Sequence, residues 1–133
     1  MFQVTRVIHF CYGHRLLQYE GKCRHLHGHN GQVEIELTKP SLDARGMVVD
    51  FDEIKRTIQT WIDATLDHKM LLRKEDPAVP ALQQLGEPLH LMNDNPTAEQ
   101  IAKLIFEYAR SQHLPVTAVR LWETPHSVAT YRP

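Results

Sequence analysis

A chain of 133 residues with 42% hydrophobic and 23% charged side chains has the size and balance of one compact domain, 1–133. Its formal net charge is −1 and it has no run of Lys or Arg, so no basic stripe is available for nucleic acid or an anionic membrane. No apolar stretch approaches the roughly 20 residues of a membrane helix, and the opening MFQVTRVIHF lacks the marks of a signal peptide. A cytoplasmic protein is expected, with Cys11 and Cys23 as free thiols. The outlier in the composition is histidine, present nine times.

In chain order, FQVTRVIHF places Phe2, Val4, Ile8 and Phe10 at alternate positions, interrupted only by Arg6, and predicts a first strand. QVEIELTK alternates Val33, Ile35 and Leu37 with Glu34, Glu36 and Thr38, the pattern of a strand with one wet face. Pro40 and the LDARGM segment then form a connection.

From Asp50 the period changes. Phe51, Ile54, Ile58, Trp61 and Ile62 recur at threes and fours, predicting an amphipathic helix opened by Asp50 and Glu53. A second helix is expected over NPTAEQIAKLIFEYARSQH, with Thr97 and Gln100 as a capping box and Ile101, Leu104, Ile105 and Tyr108 as its apolar stripe. Between them, 69–93 holds three prolines and no sustained period, which reads as a long loop with one short helical turn at most. VTAVRLWE and SVATYR close the chain as two strands around Thr124 and Pro125. The expected architecture is α+β in ββααββ order: a four-stranded antiparallel sheet with both helices on one face. Its exposed edges favour assembly into a homo-oligomer.

Candidate chemistry begins with KCRHLHGHNGQ. His27 and His29 are two apart, so on extended backbone both imidazoles point to one side, with Gly28 between them. An open metal site needs a third ligand, and His14 beyond the first strand is the natural one. The alternative is a His-rich turn that happens to precede a strand. Cys23 has three uses open to it: a fourth ligand, a base whose thiolate is favoured by nearby positive charge, or a buried thiol. Asp67 and His68 form either a carboxylate-oriented acid–base pair or a helix C-terminus complemented by histidine. Glu123 lies on the same parity as Val119 and Leu121, so it needs a salt-bridge partner or a ligand such as an amino-pyrimidinone edge. His9, His25, His90, His113 and His126 are assigned no role.

These segments, in this order, resemble the 6-pyruvoyl- and 6-carboxy-tetrahydropterin synthase family over nearly the whole chain. They are F-x-x-x-H-R-L at Phe10 to Leu16, C-x-x-x-H-G-H at Cys23 to His29, VVDFDEIK, LDH, NPTAEQIA and WET. The three residues between Cys23 and His27 resemble the bacterial carboxy-forming branch, which serves queuosine and other deazapurine synthesis. The resemblance implies Zn2+ held by His14, His27 and His29, Cys23 as catalytic base, Asp67 and His68 as a proton relay, and Glu123 as pterin anchor. It also implies the tunnelling fold, assembled into an oligomeric barrel, commonly a hexamer with active sites at subunit interfaces. The implied substrate is 7,8-dihydroneopterin triphosphate. Formation of the pyruvoyl product and a non-catalytic zinc protein are the competing readings. The sequence departs from the family at Cys11 and Tyr12, where small residues are common, and at Gly31, where an aromatic is frequent.

Overall fold

The computed structural model describes all residues, Met1–Pro133. Strands β1 (Phe2–His14), β2 (His27–Lys39), β5 (Val116–Thr124) and β6 (Ser127–Tyr131) form the expected antiparallel run. Two more strands, β3 (Lys69–Arg73) and β4 (Leu89–Met92), extend the sheet past β1, and both run parallel to it. The sheet is therefore six-stranded and mixed, in the order β4-β3-β1-β2-β5-β6, where the sequence pattern predicts four antiparallel strands.

The added strands come from the segment expected to be a long loop. Its prolines bound elements instead of breaking them. Pro77 precedes helix α2 (Ala78–Gln84) and Pro80 lies in its first turn, where a missing N–H costs nothing. Pro88 stands just outside β4, and its carbonyl accepts from Met70 N–H at 3.1 Å. Strands of four and five residues are too short to show a period, which is why this segment looked structureless.

Helix α1 covers 51–65: an α-helical turn Phe51–Ile54, a wider π-helical stretch Lys55–Gln59, and α-helical Thr60–Thr65. Asp50 caps its start by accepting from Asp52 N–H. Ile54, Ile58, Ile62 and Leu66 are fully buried and spaced by four. On a regular α-helix such a row drifts by about 40° per step, and the wider turn reduces that drift, so the row keeps facing the sheet. Phe51, expected in this stripe, is instead 49% exposed because it sits at the helix's first position, ahead of the packed row. Helix α3 (Ala98–Ser111), capped by Thr97 on Gln100 N–H, buries Ile101, Ile105 and Phe106 against the same sheet face. Trp61 and Tyr108 stack at 4.2 Å and join the two helices. No helix is long and apolar enough to cross a membrane.

The β1–β2 register sets the rest. Ile8 pairs with Val33, Phe10 with Gly31, Tyr12 with His29 and His14 with His27. The face that carries the apolar core in mid-sheet thus carries a tyrosine and three histidines at its end. Just beyond β1, Arg15 forms a two-pronged ion pair with Asp76, whose side chain is fully buried and also accepts from Ala78 N–H. This pair ties the end of β1 to the start of α2.

Removing one partner of a buried pair leaves the other uncompensated, so Asp76→Ala is expected to cost about 3 kcal/mol in urea unfolding. The Arg15 hydrogen bonds hold the Asp76 carboxyl below its ordinary value of 3.8. Its contribution is therefore present above that value and lost as pH falls below it, so Asp76→Asn should flatten the acid limb of the stability profile.

Candidate active site

His14, at the end of β1, is buried; His27 and His29, at the start of β2, are half-buried. Their ligating nitrogens lie within 4.8 Å of one another. Two backbone carbonyls decide how the rings face. His14 Nδ1 is 2.6 Å from the Pro96 carbonyl oxygen, and His27 Nδ1 is 2.7 Å from that of His25. A carbonyl only accepts, so in both rings Nδ1 carries the hydrogen and Nε2 presents a lone pair. His29 Nε2 lies 3.2 Å from His14 Nε2, while His27 Nε2 is buried with no hydrogen-bond partner. A buried, partnerless lone pair beside two convergent imidazoles is costly alone and is satisfied by a cation. The three residues therefore fit a metal with three nitrogen ligands and an open position.

Burial pushes the His14 imidazole below its ordinary value of 6.5, and the neighbouring His27 and His29 act the same way, against the pull of Pro96 and Glu123. His14 is thus held neutral at pH 7, the form that can ligate.

The segment 93–97 supports this arrangement. Asn95 clamps the Leu17 backbone from both sides, its Oδ1 accepting from Leu17 N–H and its Nδ2 donating to Leu17 O, each at 2.9 Å. Pro96 and Thr97 follow, so one short stretch fixes the chain after His14, orients the His14 ring and caps α3. These supporting roles were missed at the sequence level, although Asn95 to Thr97 lie inside the quoted NPTAEQIA segment. His25 contributes through its carbonyl although its side chain was assigned no role.

Glu123, at the end of β5, reaches the same cluster. Its Oε1 is 3.1 Å from the Tyr12 hydroxyl and 3.7 Å from His14 Nε2, and its Oε2 is 3.9 Å from His29 Nε2. Burial first, then the Glu123 charge, pushes the Tyr12 phenol well above its ordinary value, so it remains a donor.

Cys23 lies in the short turn Lys22–Arg24, half-buried, with its carbonyl accepting from Leu16 N–H at 2.8 Å. That bond brings the turn near the end of β1, but the thiol is outside the three-histidine cluster. Asp67 and His68 are outside that cluster as well. Asp67 Oδ2 is 2.7 Å from His68 Nδ1, and Asp67 Oδ1 accepts from Cys11 N–H at 2.9 Å. Burial alone would raise the Asp67 carboxyl, but the Cys11 and His68 hydrogen bonds outweigh it and hold it low. His68 adopts φ +58°, its N–H donates to Cys11 O, and its side chain is 78% exposed. It borders a cleft of about 510 Å³ that is also lined by His27, His29, Cys11, Asn30 and Lys69. By strand alternation Cys11 and Asn30 point away from the face that carries Tyr12 and the histidines. One chain thus assembles the three histidines with Glu123, and the exposed His68 imidazole shares a cleft with His27 and His29 without belonging to their cluster.

The model of the 6-pyruvoyl tetrahydropterin synthase family matches residues 3–133. The chain belongs to this family. A relative from Rickettsia conorii named 6-carboxy-5,6,7,8-tetrahydropterin synthase is 37% identical, over 95% of this chain and 96% of its own length. One of the same name from Haemophilus influenzae is 29% identical over 99% of both. Among solved structures, an uncharacterized protein of Wolinella succinogenes matches with a TM-score of 0.83 and 28% identity, over 98% of this chain and 97% of that one. The 6-pyruvoyl tetrahydropterin synthase of Caenorhabditis elegans matches at 0.74 and 25% identity, over 99% and 95%. The fold is the tunnelling fold, and the protein is a lyase-type enzyme of the pterin-synthase kind.

Replacing His27 by Ala should abolish stoichiometric metal retention, measured by metal analysis after gel filtration. Asn95→Ala should weaken metal affinity about 10- to 100-fold in competition with a chromophoric chelator, because it frees the carbonyl that orients His14.

Proposed function

We propose that this enzyme converts 7,8-dihydroneopterin triphosphate and water to 6-carboxy-5,6,7,8-tetrahydropterin, releasing acetaldehyde and triphosphate, with Zn2+ held by His14, His27 and His29. The observation that carries the zinc is the buried, partnerless Nε2 of His27 facing two further imidazoles. Support for the carboxy product comes from relatives of that name at 35–37% identity over nearly the full chain. The setting would be queuosine and related deazapurine synthesis in the cytoplasm.

When bound, the zinc supplies Lewis-acid polarisation of the substrate's side-chain oxygens, which makes adjacent C–H bonds more acidic. The chain's own groups do the rest. Glu123 accepts N–H bonds from the pterin edge and so sets where the side chain lies, a positioning effect that contributes several kcal/mol, about 7 in ideal cases. Cys23, as thiolate, removes the activated C–H proton. His68, oriented by Asp67 at 2.7 Å, handles the opposing proton transfer. The open edges of the sheet favour assembly into a homo-oligomer, a hexamer by family resemblance with active sites at subunit interfaces.

Mass spectrometry of products from purified, zinc-loaded protein decides the reaction. The 6-carboxy product with acetaldehyde is expected. A 6-pyruvoyl product without acetaldehyde would instead align the protein with its Caenorhabditis elegans neighbour, and no pterin product at all would sink both. Cys23→Ala should lower turnover by at least about 100-fold while zinc stays bound. Loss of zinc in that variant would mean the thiol is a ligand, which cobalt exchange of the wild-type protein would show independently as a thiolate charge-transfer band.

A further inference from the structure

The geometry points to Tyr12 as a positioning residue that acts through Glu123, on the reading that Glu123 anchors the pterin. Tyr12 is buried to 3% exposure at the end of the apolar face, directly beside the metal-binding histidines. A buried phenol needs a partner, and its hydroxyl has one, Glu123 Oε1 at 3.1 Å. The carboxylate can only accept, so Tyr12 donates. In the other direction, this is the one hydrogen bond that Glu123 makes: both imidazole nitrogens near it, at 3.7 and 3.9 Å, lie beyond hydrogen-bond reach.

The ring has little room to move. It stacks on Phe10 at 5.2 Å and sets its edge against His14 at 5.2 Å and its tilted face near His29 at 5.6 Å. Gly31 creates the space it fills, since a Cβ there would stand 3.0 Å from Tyr12 Cε1 and 3.4 Å from Leu121 Cδ1. Glu123 itself sits where the β5–β6 register shifts, between Trp122 and Thr124, and its side chain is 24% exposed. A strand end of that kind does not hold a carboxylate in one rotamer. The Tyr12 hydroxyl does: it occupies Oε1 and leaves Oε2 to accept from the ligand's N–H edge. It also keeps the carboxylate from turning inward to become a fourth metal ligand.

The test is a double-mutant cycle on the zinc-loaded protein, with neopterin as a non-reacting probe and binding read by fluorescence titration. Tyr12→Phe keeps the ring and removes only the hydroxyl. It should weaken neopterin binding about tenfold, the scale of one hydrogen bond to a charged group, with zinc affinity unchanged within about twofold. In the Glu123→Gln background the same change should cost less than about twofold. An equal loss in both backgrounds, or none in either, overturns the proposal, as does a tenfold change in zinc affinity, which would make Glu123 a metal ligand. Should Glu123→Gln bind no neopterin, the crystal structure of Tyr12→Phe decides: a turned Glu123 side chain is expected, and an unmoved one overturns the inference. Wild-type protein that binds no neopterin would remove the anchor role of Glu123 and this proposal with it. Normal wild-type binding that Tyr12→Phe leaves intact would remove the role of Tyr12 alone.

Discussion

The site depends on the register of two strands. β1 and β2 pair along their whole length, from Phe2 with Lys39 to His14 with His27, with no bulge between them. Side chains alternate across a sheet, so a slip by one residue would turn Val33, Ile35 and Leu37 into solvent and His27 and His29 to the opposite face together. Apolar burial in mid-sheet and the convergence of three histidines at its end are therefore specified by the same pairing. The fully buried Ile8, Val33, Ile35 and Leu37 hold a register that the polar histidines could not hold alone.

That arrangement places polar groups at the end of a hydrophobic face, and the structure compensates three of them. His14 Nδ1 meets Pro96 O, His27 Nδ1 meets His25 O, and the Tyr12 hydroxyl meets Glu123. What stays unmet is the set of ring nitrogens that converge, above all His27 Nε2. Satisfying the outer side of the His14 and His27 rings while leaving the inner side open is what separates a binding site from a set of buried histidines. The backbone carbonyls involved come from segments that Cys23 O and the Asn95 amide tie to the residues just after β1, and the Arg15–Asp76 pair ties the same residues to the start of α2. The support is thus local to one short stretch, His14 to Leu17.

Much of this was legible in the residues. Alternation in β1 and β2 and the four-residue row in α1 are strong periodic signals, and His-x-His on extended backbone correctly implied two rings on one side. His14 could be placed beside them because a hairpin-like pairing brings strand ends together. β3 and β4 were not legible, since strands that short get their identity from pairing partners far along the chain, Tyr12 to His14 for β3. Neither were the carbonyl partners of His14 and His27: a main-chain oxygen leaves no mark in a sequence. The Arg15–Asp76 pair spans 61 positions and is equally invisible. Tyr12 and Gly31 did show as departures from the family, and the structure makes them one feature, a ring on one strand filling the gap left by a missing Cβ on the next.

The place of Asp67 and His68 follows from the same alternation. Their backbone and side-chain bonds go to Cys11, whose neighbours Phe10 and Tyr12 face the core while Cys11 faces the other way. The pair is fixed with some care: the Asp67 carboxylate receives both Cys11 N–H and His68 Nδ1, and His68 holds a left-handed backbone conformation to stay there. Its imidazole is 78% exposed and lines the same cleft as His27 and His29. An oriented imidazole this exposed is free to meet either a ligand held in that cleft or a neighbouring copy that covers the sheet's open edges.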